Sequence, residues 1–435
     1  MTRPKSSSAA RAASSVIPRE RVEAHARGLG VLRRQRKVDV AGLVWSLVLS
    51  FQVGATRSIE TVRQTYEDVT GTSIARSSFY DRLTAPFARL IWALVNDAFA
   101  ERTAPLRVPT GHLARFTELL ALDSMVLRLH DLLQGSYRAC RTNHTKAAAK
   151  LHVVMNVADG SPTKVKLTPE RTNDRTPWKR VGAWLKGCLL LFDLGYFSYH
   201  LFHRIDQNGG YFVSRMKRNA NPLIVATNRT WRGQSVDVVG MRLREVLPLL
   251  QRELLDVQVE VAFQKRTYRA ARASFTRTFR LVAVRNDETG AYHVYLTNVP
   301  VEMLPADEIR RTYALRWQVE LLFKALSTHG HIRQMPSTKQ HVVDCLVGVA
   351  ILAALTSQAL YRIVRVAVEA GRAMPLLRWA AIFARHAATL LRLVIRPAPR
   401  RDADLMVLLT REAPDPNVRR KRGRSLPVVP TMATA

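Results

Sequence analysis

Three acidic residues stand where a carboxylate is costly. Asp123 closes the apolar run Leu119-Leu120-Ala121-Leu122, Asp193 follows Cys188-Leu189-Leu190-Leu191-Phe192, and Glu320 lies inside a helical pattern that runs from Asp307 to Leu326. A carboxylate in a buried-strand pattern is unfavourable unless a cation or several donors hold it. Hard oxygen donors brought from distant segments suit a divalent ion such as magnesium. Two such ions about 3.5–4 Å apart activate the attacking oxygen and stabilise the leaving oxygen of an in-line displacement at phosphorus. Taken singly, each acid has a plainer reading. Asp123 reads as a strand residue held by an Arg or a backbone amide, Asp193 as a turn before Gly195, and Glu320 as an ion-pair ladder with Arg316 and Lys324.

The charge of the whole chain points the same way. Among 435 residues, 67 Lys and Arg face 34 Asp and Glu, a formal net charge of +33, so the expected partner is a polyanion, with nucleic acid ahead of a membrane surface. With 47% hydrophobic residues a sizeable core is expected. Cys140, Cys188 and Cys345 lie far apart, which argues against a disulfide framework or a zinc knuckle. The apolar stretch Cys345 to Leu355 is shorter than a membrane span and reads as a core helix, and no apolar signal core follows the basic segment Met1 to Ser15. A reducing cytoplasm fits these features.

The elements that must position the acids follow from periodicity. Residues 1–18 read as a disordered basic leader and 19–116 as a helical DNA-binding domain, with Asp39 as an N-cap and a helix-turn-helix layout from Ser58 to Leu83. Residues 117–221 read as the first part of an α/β core: strand, hairpin, a helix over Trp178 to Lys186, then a second strand carrying Asp193. A β-rich insertion follows over 222–298. Its stretch Lys265 to Arg280, basic with Phe275 and Phe279 interleaved, suits a phosphate backbone or, equally, a solvated strand with its aromatics inward. Residues 299–335 return to the core with the Glu320 helix, 336–396 read as a helical region, and 397–435 as a basic disordered tail containing Arg419 to Arg424. His329 and His331 read as a polar loop, and His130-Asp131 as a solvated turn.

Together these residues resemble a known family. Leu122-Asp123-Ser124, the run Phe192-Asp193-Leu194-Gly195-Tyr196-Phe197, the segment Gly210 to Lys217 and the motif Tyr313 to Lys324 are similar to those of DDE transposases of bacterial insertion sequences, in the IS-four branch. The similarity extends over residues 20–395. In that family a Tyr, an Arg three residues on, the catalytic Glu four further and a Lys seven beyond it form a signature. Tyr313, Arg316 and Glu320 match, but the Lys place holds Ser327, and Leu194 stands where the family usually has Arg.

The resemblance implies an RNase H-like mixed-sheet core that cuts DNA at the inverted-repeat ends of its own element and joins the 3′ hydroxyl to target DNA. Asp123, Asp193 and Glu320 would be catalytic and hold two Mg2+ ions, with Mn2+ as a substitute. Tyr313 and Arg316 would position the strand, with Lys324 replacing the absent Lys. Double-stranded DNA as partner and action as a homodimer on paired ends follow from the same resemblance, and no membrane partner is expected because the positive charge is spread along the chain instead of lying beside a hydrophobic anchor. Two other readings stand beside it: a DNA-end-binding protein without chemistry, and a nuclease that cleaves without joining.

Overall fold

Runs of alternating and continuous apolar residues build the strands that the rest of the chain covers. The structure, a computed structural model, describes residues 8–416 apart from 33–37, 51–57, 102–108, 141–144, 179–180, 229, 232–233, 236, 265–273, 336 and 369–371. Its strands are β1 (Leu119–Leu129), β2 (Ala147–Asn156), β3 (Ser161–Pro169), β4 (Leu189–Phe192), β5 (Tyr211–Arg215), β6 (Leu223–Thr227), the small hairpin β7 (Thr230–Trp231) and β8 (Gln234–Ser235), β9 (Leu254–Gln264), β10 (Ser274–Arg285) and β11 (Tyr292–Thr297). All but the small hairpin join one nine-stranded sheet in the order β3-β2-β1-β4-β5-β11-β10-β9-β6. β1, β2 and β3 pair antiparallel, β1, β4 and β5 run parallel, and β11 returns antiparallel to β5. The architecture is therefore mixed α/β, as the sequence pattern anticipates.

The expected insertion is not a detached subdomain. β11, β10, β9 and β6 extend the sheet from β5, because a free β5 edge would leave a row of backbone donors and acceptors unpaired; Tyr295 to Thr297 pair with Val213 to Arg215 instead. The basic stretch divides. Residues 265–273 lie outside the described residues. Arg280, read as a phosphate contact, is 2% exposed and forms a bidentate pair with buried Asp256 at 2.9 and 2.7 Å, and Phe279 faces the core.

Helices cover both faces of the sheet. The N-terminal set is α1 (Ala9–Val16), α2 (Arg19–Gly28), α3 (Val40–Ser50), α4 (Ile59–Thr70), α5 (Arg76–Tyr80) and α6 (Ala85–Ala100). Among the strands and beyond them come α7 (Tyr199–Gln207), α8 (Leu243–Val246), α9 (Ala306–Ala314), α10 (Trp317–Thr328), α11 (Gln340–Ala367), α12 (Leu376–Ile395) and α13 (Pro399–Glu412). The larger hydrophobic core joins the N- and C-terminal helices to one face of the sheet, and a second core holds α7 and α8 against the other. Asp39 accepts from the Ala41 amide at the start of α3, as the N-cap reading requires. In the helix-turn-helix region Gly71 ends α4 in the left-handed conformation (φ 71), but α5 has only 5 residues, so the second helix is a single turn.

Three expectations of order change. The leader contains α1, whose Ala9 and Ala13 are wholly buried against the C-terminal helices; alanines at one-turn spacing allow this close approach. Part of the expected tail is α13, which buries Leu405, Met406 and Leu409, while residues 417–435, with the Arg419 to Arg424 run, lie outside the described residues. Among the described residues of the stretch expected to be one helix, Trp178 to Lys186, the structure shows 3-10 turns at Thr176–Trp178 and Ala183–Leu185. α11 is long and apolar enough to cross a membrane by length and composition, yet 78% of its most apolar window is buried inside the protein.

Candidate active site

Strand register brings the first two acids together. β1 and β4 are parallel neighbours with Leu122 opposite Phe192, so Asp123 and Asp193 are the next residues along each, at the carboxyl end of β4. Adjacent strands lie about 4.8 Å apart, which fixes the two backbones side by side. Burial raises the Asp123 carboxyl to about 6; the Ser124 amide and Arg316 oppose this, while the nearby charges of Asp193 and Glu320 add to it. The three acids thus share one electrostatic neighbourhood.

Glu320 arrives on α10, which packs over β1. The helical pattern from Asp307 to Leu326 is interrupted: α9 ends at Ala314, α10 starts at Trp317, and the turn between them is tightened by i to i+3 bonds from Leu315, Arg316, Gln318 and Val319 amides. Tyr313 therefore sits on α9, not on the Glu320 helix. Its ring packs on Tyr295 at 5.2 Å, and burial pushes its phenol up to about 12. Arg316 turns towards the sheet, donating from Nη1 to Asp123 Oδ2 at 3.2 Å and from Nη2 to Glu320 Oε1 at 2.5 Å. The plain readings of Asp123 and Glu320 as ion-paired residues are thus both realised, through one arginine.

Among the described residues no three His, Cys, Asp or Glu side chains stand close enough to hold a metal ion as they are. The donor chemistry nonetheless fits a divalent cation. Asp123, raised chiefly by burial, also feels the charges of Asp193 and Glu320, and a guanidinium already serves as the stand-in cation between Asp123 and Glu320. Its Nε is buried without a hydrogen-bond partner, so the two carboxylates provide its polar anchorage. A metal there requires Arg316 to swing aside.

Other candidates fall where local geometry takes them. Lys324 is exposed one turn beyond Glu320. Ser327 accepts from Arg333 Nε at 3.1 Å, so a cation comes to the place where the resemblance expects Lys. Arg333 was invisible to spacing because it follows the end of α10. His130 accepts from the Leu132 amide, a local turn. Sequence reasoning also passed over a polar group behind β1, in which Asp174 Oδ1 accepts from Ser124 Oγ at 3.0 Å and from Lys150 Nζ at 2.9 Å. His152 in the same region is fully buried, bonds Thr168 at 2.9 Å, and is pushed down to about 4, chiefly by burial. The weak signal for this group is polar residues alternating along otherwise apolar β2.

A mixed sheet that sets one acid within β1 and another just past the end of its parallel neighbour β4, under a helix carrying a third acid and capped by an arginine, defines a class: enzymes that cut or transfer phosphodiesters. The Transposase DDE domain family matches residues 114–356, and the chain belongs to that family. It is a DNA transposase. The chain is 22% identical over 377 residues to the transposase for insertion sequence element IS231F of Bacillus thuringiensis subsp. israelensis, spanning 80% of this chain and 78% of that one. It is 23% identical over 354 residues to the IS231D transposase of B. thuringiensis subsp. finitimus, spanning 74% and 73%. In fold it is similar to the piggyBac transposase solved as a synaptic complex with hairpin DNA, with a TM-score of 0.50 over 94% of this chain and 86% of that one at 10% identity.

Proposed function

We propose that this transposase belongs to the IS-four branch, cuts double-stranded DNA at the terminal inverted repeats of its insertion sequence and transfers the 3′ hydroxyl ends to target DNA. The observation that carries this reading is the register of β1 and β4, which sets Asp123 beside Asp193, with Glu320 linked to Asp123 through Arg316. Asp123, Asp193 and Glu320 would hold two Mg2+ ions, which when bound lower the pKa of an attacking water or hydroxyl and stabilise the leaving oxygen. The protein's own part is to bind and orient the strand. Arg316 exchanges its carboxylate partners for a phosphate, a bidentate acceptor of the same geometry. Tyr313, packed on Tyr295, forms the wall beside it. Lys324 and Arg333 supply charge along the exposed side of α10. The N-terminal helices would contact the element end, and a homodimer would hold two ends at once, in the cytoplasm of a bacterium.

Incubation of the purified protein with end-containing DNA and Mg2+ tests this. Joined products are expected. Cleavage alone would make it a nuclease, and a gel shift without cleavage a binding protein. Asp193→Asn should reduce nicking by about 10³-fold or more, the scale of losing a group that stabilises transition-state charge, with DNA binding retained.

A further inference from the structure

We propose that Asp174 is a positioning residue of the acidic centre, holding Asp123 through Ser124 from the opposite side of the sheet. This rests on the reading of Asp123 as a metal ligand. Successive strand side chains point to opposite faces, so Asp123 looks towards α10 while Ser124 looks towards the segment that follows β3. Ser124 is gripped at both ends. Its amide donates to Asp123 Oδ1 at 2.8 Å, and its hydroxyl donates to Asp174 Oδ1 at 3.0 Å.

Asp174 is itself anchored. Lys150 Nζ lies 2.9 Å from the same oxygen, its side chain is only 12% exposed, and it also donates to the Thr172 carbonyl at 3.2 Å. β2, β1 and the segment after β3 are thereby tied at one carboxylate. The other oxygen faces the second acidic strand end, since a Cβ on Gly195 would lie 3.6 Å from Asp174 Oδ2. The Tyr196 hydroxyl, three residues past Asp193, is buried without a hydrogen-bond partner among the described residues.

The consequence is orientational. With Arg316 swung aside for a metal, the amide bond from Ser124 alone would leave the Asp123 carboxylate free to rock with its backbone. Fixing the serine hydroxyl on the far face stops that motion, as partners behind metal ligands generally do. Lys150 also neutralises Asp174, so this support adds no net negative charge behind the acidic centre.

The test uses the full-length protein and two readouts, Mn2+ binding without DNA by electron paramagnetic resonance and nicking of end DNA. Ser124→Ala and Asp174→Ala should each weaken Mn2+ binding about 10–100-fold while DNA gel shifts stay unchanged. The double variant should be no worse than the worse single, because both break one link. Asp174→Asn, which keeps an acceptor for the serine, should recover part of the loss. Should Asp174→Ala not fold, with Lys150 stranded, Ser124→Ala leaves that ion pair intact and decides alone. Unchanged Mn2+ binding in Ser124→Ala, or losses that multiply in the double variant, overturn the proposal if Asp123→Asn still abolishes binding. If Asp123→Asn binds Mn2+ as the unaltered protein does, the site reading itself is overturned.

Discussion

At the scale of single residues the protein has to keep like charges together. Asp123 carries its carboxyl at about 6 against an ordinary 3.8, first through burial. The sign of the linkage is as follows: between those values the folded chain holds a proton that the unfolded chain releases, so this group's contribution to stability falls as pH rises through the window. A divalent ion must displace that proton. Mn2+ affinity measured without DNA should therefore fall by about tenfold per pH unit below about 6 and level off above about 7. A pH-independent affinity in the unaltered protein would count against Asp123 as a ligand. Asp123 and Asp193 could be singled out as candidates because each interrupts an apolar run, and Glu320 because it lies one turn from Arg316 within a helical pattern. Asp174 could not, since its meaning comes from a lysine on β2 and a serine on β1, both distant in sequence.

At the scale of elements, turns decide where the acids stand. Gly187 starts the chain into β4 with φ 75, its amide donates to the Gly209 carbonyl at 2.8 Å, and its carbonyl accepts from Thr117 at 2.9 Å, so it aligns the beginnings of β1, β4 and β5. A Cβ there would overlap the Thr117 hydroxyl as well as strain the left-handed backbone. Gly187→Ala is expected to cost about 2 kcal/mol in urea unfolding, within the range for a non-glycine held in that region. Equal midpoints would show that the register is set elsewhere. The tightened turn at Leu315 and Arg316 was hidden for a different reason. Apolar spacing runs through it unbroken, and both residues keep right-handed helical dihedrals, so only the i to i+3 bonding separates Tyr313 from the Glu320 helix.

At the scale of the molecule, the first and last of the described helices close on each other. The Ala10 amide at the start of α1 donates to Asp402 of α13 at 2.9 Å, and Ala9 and Ala13 have no exposed surface. Ala13→Asp would place an unpaired charge in that contact and should lower stability by about 3 kcal/mol or more, read from denaturant unfolding. A neutral result would mean that α1 detaches freely. Composition and periodicity were enough for a basic, mixed α/β chain with three candidate acids, because burial patterns, charge and strand alternation are local properties, while the reading as a DNA enzyme rested on the resemblance of its motifs to a family. Which side chains face one another was left to the tertiary structure. Arg316 bridges Asp123 and Glu320, Asp256 claims Arg280 from the expected DNA-contact stretch, and the supposed insertion becomes sheet. Pairing depends on register and packing between segments far apart in the chain, and no spacing along one segment encodes it.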